Sequence, residues 1–423
     1  MRSAPVGGVR RALPSISLIA ALLAPACSSA DSGPWLAALY LAGDSDLWQT
    51  AQYAASTARA ATAGGMTSVV LLDGPPGPDS RATLTIRYGG RTSTRNWGSL
   101  NTGSPQSLAR FTRYARSLRV AGPKALILLG HGKPPASVSD PWRLMTVAGG
   151  LGEDWSAGGD SLDAAEIEEA LAGQSWDLVV LACCHGASVE QLWALRSAAK
   201  YAAAAPGEIA MDGGELGRLV GALASRPTAE QAAATSASVL AAAAGDAGAM
   251  WMPAARLTGV AEHVRALGVE VRRDARNCAR ALEALRPLVP CWGPSGEMAD
   301  LGALAAAMDA GVADPHVKST AGTLAAEVSA AVHKTGGGGR PAGSFAPTNL
   351  GIFLPPLQTE PWKDYDKHAP FGRVTEWTLA LAALHRAVAE DSSSAGVCLV
   401  SWAGLERKDL QPRSCCETSP EAP

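Results

Sequence analysis

Two short segments hold the residue types that could do chemistry. Gly130-His131-Gly132 follows the apolar run Ala125 to Leu129, and Cys183-Cys184-His185-Gly186 follows Leu178 to Leu181. His131 and Cys184 are 53 residues apart. A thiol becomes a useful nucleophile when a histidine can take its proton or stabilise the thiolate. Gly132 and Gly186 would leave backbone N–H groups open to a developing oxyanion. Other readings use the same residues. A Cys-Cys pair at a strand end can be two small buried hydrophobes. A zinc site built from His131, Cys183, Cys184 and His185 is disfavoured, because adjacent cysteines lack the gap that closes a chelate. The chain contains no His-Glu-x-x-His, no Gly-x-Ser-x-Gly and no Walker-type phosphate loop.

These segments need rigid strands to present them, and the hydrophobic pattern supplies candidates. Trp35 to Leu41, Ser68 to Asp73, Ala125 to Leu129 and Leu178 to Leu181 read as buried strands, and Thr83 to Tyr88 as a half-exposed one. Helical patterns lie between them at Leu47 to Ala61, Pro105 to Leu118 and Asp163 to Leu171. Short apolar strands alternating with helices predict an α/β fold with a largely parallel sheet, whose chemistry collects beyond the carboxyl ends of the strands. From about 217 to 330 the chain is Ala-rich and reads as helical. Lys334-Thr335 and Gly336 to Gly339 read as a flexible connector. Leu350 to Pro355 reads as a further strand, Thr375 to Val388 as a helix and Val397 to Trp402 as a last strand.

Composition narrows the function classes. The 423 residues are 47% hydrophobic and 18% charged, enough apolar content for a sizeable core. Lys+Arg number 36 and Asp+Glu 39, a balance that gives no electrostatic reason to expect nucleic acid as a partner. Eight cysteines are too few for a disulfide-dense scaffold. Cys278 and Cys291 are spaced for one disulfide. Arg2, Arg10 and Arg11 precede the apolar stretch Ile16 to Leu23 and the small-x-small site Ala24-Pro25-Ala26, the pattern of an export signal. Cleavage after Ala26 would make Cys27 the first mature residue, which leaves a secreted protein and a lipid-anchored lipoprotein as two readings.

With these blocks in order, the chain resembles the clostripain family of cysteine peptidases over most of residues 35–390. Leu39 to Leu47 is similar to the family's opening strand and polar turn, and Leu100 to Pro105 with Leu108 and Phe111 to a signature ahead of the histidine strand. Leu126 to Gly132 resembles the catalytic-histidine block, and Asp177 to Glu190 the catalytic-cysteine block. Ile352 to Pro355, Tyr365, Phe371 and Trp377 are similar to its C-terminal strand and helix. The resemblance implies a caspase-like sandwich, a mostly parallel central sheet flanked by helices, with an Ala-rich helical region added. It implies a peptide or protein substrate and a dyad of His131 with Cys184, Gly132 and Gly186 serving the oxyanion. Alignment on Asp177, Ser188 and Glu190 favours Cys184, whereas the dipeptide Ala182-Cys183 matches an Ala-Cys pair common among relatives. His185 is expected to be a solvent-side neighbour.

The chain departs from the family two residues before Cys184, where Ala182 stands in place of an aspartate that helps hold Arg or Lys of the substrate. A second acid is kept as Asp212, expected as a lone carboxylate at the floor of the specificity pocket. This predicts a weakened preference for basic residues, with Arg above Lys and some tolerance of neutral residues. Only Arg143 is basic between 134 and 183, so self-cleavage there is poorly supported. No metal or cofactor is required by the sequence, and calcium enters by resemblance only, with no dense acidic loop to bind it. The expected divisions are a signal peptide at 1–26, a leader at 27–34, a catalytic core at 35–216, a helical region at 217–333, a linker at 334–345, a C-terminal part of the core at 346–407 and a tail at 408–423. The alternative is a degenerate relative that binds peptides or partners without cleaving them.

Overall fold

The computed structural model describes residues 33–134, 150–293, 296–337, 343–357 and 365–394. The signal segment, Cys27, Arg143, Val397 to Trp402, and Cys398, Cys415 and Cys416 lie outside them. The strands are β1 Leu36–Leu41, β2 Thr67–Leu72, β3 Ala82–Tyr88, β4 Arg91–Gly98, β5 Lys124–Leu129, β6 Leu151–Asp154, β7 Asp160–Leu162, β8 Trp176–Ala182, β9 Ala199–Ala204, β10 Ala249–Pro253, β11 Cys291–Trp292, β12 Met298–Asp300, β13 His333–Thr335 and β14 Gly351–Phe353. The helices are α1 Trp48–Ala61, α2 Pro105–Ser117, α3 Ala164–Leu171, α4 Val189–Trp193, α5 Gly214–Ala224, α6 Ala229–Ala244, α7 Leu257–Arg273, α8 Ala275–Leu285, α9 Leu301–Gly311, α10 Pro315–Ala331, α11 Tyr365–His368, α12 Pro370–Thr375 and α13 Trp377–Ser394.

A nine-stranded sheet runs in the order β13-β10-β9-β8-β5-β1-β2-β3-β4. The centre, β9-β8-β5-β1-β2, is parallel, and the pairs at both edges are antiparallel. Strand β1 shows why its run is apolar throughout. Leu36, Ala38 and Tyr40 point into one core, and Ala37, Leu39 and Leu41 into the other. Successive side chains face opposite sides of a strand, so a sheet covered on both faces needs both sets apolar. Residues of α1, α5 and α6 pack in the second core; α2, α3, α7, α9, α10 and α13 fill the first. The mixed α/β fold and its largely parallel centre are those expected.

Several local expectations need correction. The segment 217–333 is not purely helical, because β10 adds to the main sheet against β9, with Met250 opposite Ala204. Lys334 and Thr335 belong to β13, paired with Met250 and Ala249, so the connector begins later than its composition suggests. Leu350 to Pro355 contributes β14 to a separate three-stranded sheet, β11-β12-β14. Cys278 and Cys291 are buried and no disulfide joins them.

Helix α3 opens on a full capping box, with Asp163 accepting from Glu166 N at 2.8 Å and Glu166 accepting from Asp163 N at 3.0 Å. The other oxygen of Asp163 meets His368 Nδ1 at 2.6 Å and so ties α11 to the start of α3. Replacing Asp163 with Ala removes both contacts. The expected loss is about 1–2 kcal/mol, near the upper range for a cap, whereas Asp163→Asn keeps the cap and loses less. Urea unfolding of the two variants checks this order.

Candidate active site

The register of β5 on β8 pairs Leu129 with Ala182. Two residues past the end of each strand stand His131 and Cys184, at adjacent carboxyl ends. Gly132 shows how close the two chains come. A Cβ placed on it would overlap the carbonyl oxygen of Cys184 and lie 2.8–2.9 Å from that residue's carbonyl carbon and nitrogen. No side chain fits at 132, so its glycine is a condition of the close approach.

The backbone around Gly132 has a second consequence. Gly132 bridges Leu151, but the hydrogen bonds are made by its neighbours, Lys133 N to Gly150 O at 3.0 Å and Gly152 N to His131 O at 2.7 Å. This is the non-hydrogen-bonded position of an antiparallel pair, so the Gly132 N–H is left out of the ladder. Gly186 differs. It is buried, and a Cβ there would press on Leu181 and on Cys183 Sγ at 3.0 and 3.2 Å.

The two cysteines are not equivalent. Cys183 is 1% exposed within the first core, and burial pushes its thiol far above the ordinary range. Cys184 is partly exposed, and its sulfur accepts the Ile209 N–H at 3.4 Å. Burial also raises the Cys184 pKa; the Ile209 N–H works against that rise and the carboxylate of Glu208 adds to it. Glu208 is exposed, on the loop that follows β9. Nothing in its sequence context marks it; its proximity appears only once β9 is placed beside β8.

His131 is 32% exposed, and its Nε2 lies 2.6 Å from Asp46 Oδ1. Asp46 comes from the turn after β1, the next strand over. An ionised carboxylate only accepts, so it holds the proton on Nε2 and leaves Nδ1 as the basic nitrogen. In sequence, Asp46 is only part of a polar turn. His185 also differs from expectation, being buried rather than on the solvent side. Its backbone is left-handed, with φ 55°, held by His185 N to Gly207 O at 2.9 Å and by the ring Nδ1 and Pro206 O at 3.1 Å. Burial lowers its pKa, so it serves as a neutral brace for the turn after Cys184. A strained residue directly after a candidate nucleophile is a common feature of functional sites.

Asp212 does not lie at a pocket floor. It is exposed, and its Oδ1 accepts the Gly214 N–H at 2.7 Å at the start of α5, the turn role that an Asp-Gly pair often has. That bond holds its carboxyl below the usual range. It shares the loop after β9 with Glu208.

The family-like positions flanking Cys184 brace it. Asp177 accepts from Lys124 N on β5 at 2.9 Å and meets Lys200 Nζ on β9 at 2.6 Å, tying β8 to both neighbours. Ser188 caps α4. Glu190, wholly buried, accepts from Phe353 N at 2.8 Å and from Tyr365 OH at 2.7 Å, so the C-terminal strand and helix dock behind the Cys184 turn. Burial raises the Glu190 pKa to about 7.

Residues 90–249 match the model of the clostripain family, Peptidase_C11. No curated protein matches the chain in sequence. Among solved structures, it is similar to a secreted C11 cysteine protease from Bacteroides thetaiotaomicron in complex with an irreversible peptide inhibitor, at 15% identity and TM-score 0.57, covering 82% of this chain and 99% of that one. It is similar also to an inactive zymogen C11 protease from Parabacteroides distasonis, at 15% identity and TM-score 0.59, covering 81% and 98%. A third, iotapain, a secreted C11 cysteine protease from Bacteroides thetaiotaomicron, has 13% identity and TM-score 0.57, covering 84% and 99%. These likenesses establish the fold. The fold is the one these proteases share, and residues 90–249 are similar to the clostripain family.

Proposed function

We propose that the chain is an exported cysteine endopeptidase in which Cys184 is the nucleophile and His131 its general base. The observation that carries this is the register of β5 on β8, which sets the two residues at neighbouring strand ends with Gly132 against the Cys184 backbone. The raised Cys184 pKa supports proton transfer during attack rather than a preformed thiolate. His131 Nδ1 takes the Sγ proton as sulfur bonds to the scissile carbonyl carbon. The carbonyl oxygen gains the charge and turns to the Gly132 N–H. The tetrahedral centre then collapses to a thioester as His131 returns the proton to the leaving amine, and water hydrolyses the thioester by the reverse proton path.

Substrate choice rests on the loop after β9. Asp212 and Glu208 are exposed carboxylates there, and Ala182 leaves no acid on β8 beneath them. Solvated acids favour a basic residue less strongly than a buried pair would, which supports a weakened preference with Arg above Lys. The leader at 1–26 supports export, in keeping with relatives described as secreted. Among the described residues no helix is long and apolar enough to cross a membrane, and Cys27 is the point at which a lipid anchor would attach.

Hydrolysis of matched Arg, Lys and Gln peptides tests the assignment. The wild type is expected to cleave them in that order, Cys184→Ala to lose at least ~10³-fold of the rate, and Asp212→Asn to narrow the gap between Arg and Gln. Full activity in Cys184→Ala overturns the nucleophile; no cleavage by any form favours the non-cleaving relative. Iodoacetamide tests the thiol separately. A raised pKa means less thiolate at neutral pH, so the labelling rate at Cys184 should keep climbing beyond the pH at which an ordinary cysteine levels off. Cys183 should stay unlabelled until the chain unfolds.

A further inference from the structure

Three carboxylates that this chemistry does not use lie together behind the His131 loop. Asp44 follows β1, Asp73 follows β2 and Asp154 ends β6, and all are buried, at 0%, 1% and 0% exposure. One ligand atom from each lies within 4.8 Å of the others. Their donors are few. Asp73 Oδ1 takes Gly74 N at 2.9 Å, Asp154 Oδ1 takes Ala157 N at 2.9 Å, and Asp44 Oδ1 takes Ser156 N at 3.2 Å. Thr102 N reaches Asp154 Oδ2 at 2.7 Å. The Thr102 hydroxyl sits 3.1 Å from Asp73 Oδ2 and 3.2 Å from Asp154 Oδ2, and its single proton can serve one of them. Asp44 Oδ2 is buried with no hydrogen-bond partner at all. Among the described residues no basic side chain forms an ion pair with any of the three. Burial raises the Asp73 pKa to about 7 and raises that of Asp154.

We propose that Asp44, Asp73 and Asp154 bind a hard divalent cation, calcium by preference. Buried charges are normally paired or bound to metal, and Asp44 Oδ2 has neither a donor nor a counter-charge. The donor set is all oxygen, which excludes the soft thiolate and imidazole chemistry of zinc or copper. Calcium holds its ligands at about 2.3–2.6 Å, so oxygens on opposite sides of one ion lie up to ~5 Å apart. Oxygens that all lie within 4.8 Å of one another can share one ion of that size. Magnesium holds ligands at about 2.0–2.1 Å and keeps much of its water, a poorer match to buried carboxylates. The family resemblance implied calcium without a place for it; the acids that fit are drawn from three separate segments and make no dense loop in the sequence.

The position suggests what the ion would do. Trp155 N bonds to Asp44 O at 2.8 Å, and Gly152 N bonds to His131 O at 2.7 Å. An ion here would clamp the turn after β1, which carries Asp46, to the strand beside His131. It would therefore fix the pair that orients the imidazole, although its binding does not depend on the chain being a peptidase.

The test uses the full mature chain freed of metal with EDTA, titrated with calcium chloride by calorimetry and followed by thermal melting. One calcium per chain is expected, with the melting temperature rising by several degrees at ~100-fold excess over Kd and magnesium giving less. Asp44→Asn should abolish the calcium-dependent rise. It should also melt above the calcium-free wild type, because it removes one of three crowded charges and adds a donor. No binding and no rise in the wild type at 10 mM calcium overturns the proposal, as does a calcium response unchanged in both Asp44→Asn and Asp73→Asn. If neither variant folds, the wild-type titration alone decides.

Discussion

The proposed chemistry hangs on the parallel pairing of β5 and β8. The pairing of Leu129 with Ala182 carries forward to place residue 131 beside 184, and a slip of one position would send both side chains to opposite faces. Gly132 locks that register from above, because only a residue without a Cβ can lie against the Cys184 carbonyl. Asp177 locks it from below, holding Lys124 N on β5 and Lys200 on β9. The strands themselves are buried on both faces, so core packing fixes the strand ends from which the His131 and Cys184 turns leave.

The loops at the carboxyl end of the sheet complete what the strands begin. The turn after β1 brings Asp46 to His131, the turn after β8 is held by the strained and buried His185, and the loop after β9 brings Ile209 and Glu208 to the sulfur. Behind them the C-terminal segment closes on Glu190 through Phe353 and Tyr365. Residues up to 175 positions apart thus share one support. The cluster of Asp44, Asp73 and Asp154 leaves Asp44 Oδ2 without a hydrogen-bond partner, and it stands where the β1 turn meets the His131 segment.

Much of this was legible because the physics is local. Apolar runs on both faces marked β1, β2, β5 and β8, and Asp163 with Glu166 marked the start of α3. The glycines beside His131 and the two cysteines marked the site. What was not legible is set by partners distant in sequence. Ala199 to Ala204 carries no strand signal of its own and becomes β9 because it pairs with β8 and β10. Met250 to Met252 sits in an Ala-rich stretch and is a strand for the same reason. Asp-Gly at 212 suited either a pocket acid or a turn; its Oδ1 accepts the Gly214 N–H, so it forms the turn and meets any substrate as an exposed acid rather than a buried one. The three clustered aspartates belong to three different strand ends, so no spacing could announce them.

The central claim is that the strand register makes Cys184, and not its neighbour, the reactive thiol. A peptidyl electrophile carrying arginine, applied to the folded chain and mapped by peptide mass spectrometry, tests it most directly. The account predicts a single adduct on Cys184 that forms far more slowly in His131→Ala. An adduct on Cys183, or labelling of Cys184 that is indifferent to His131, would contradict it.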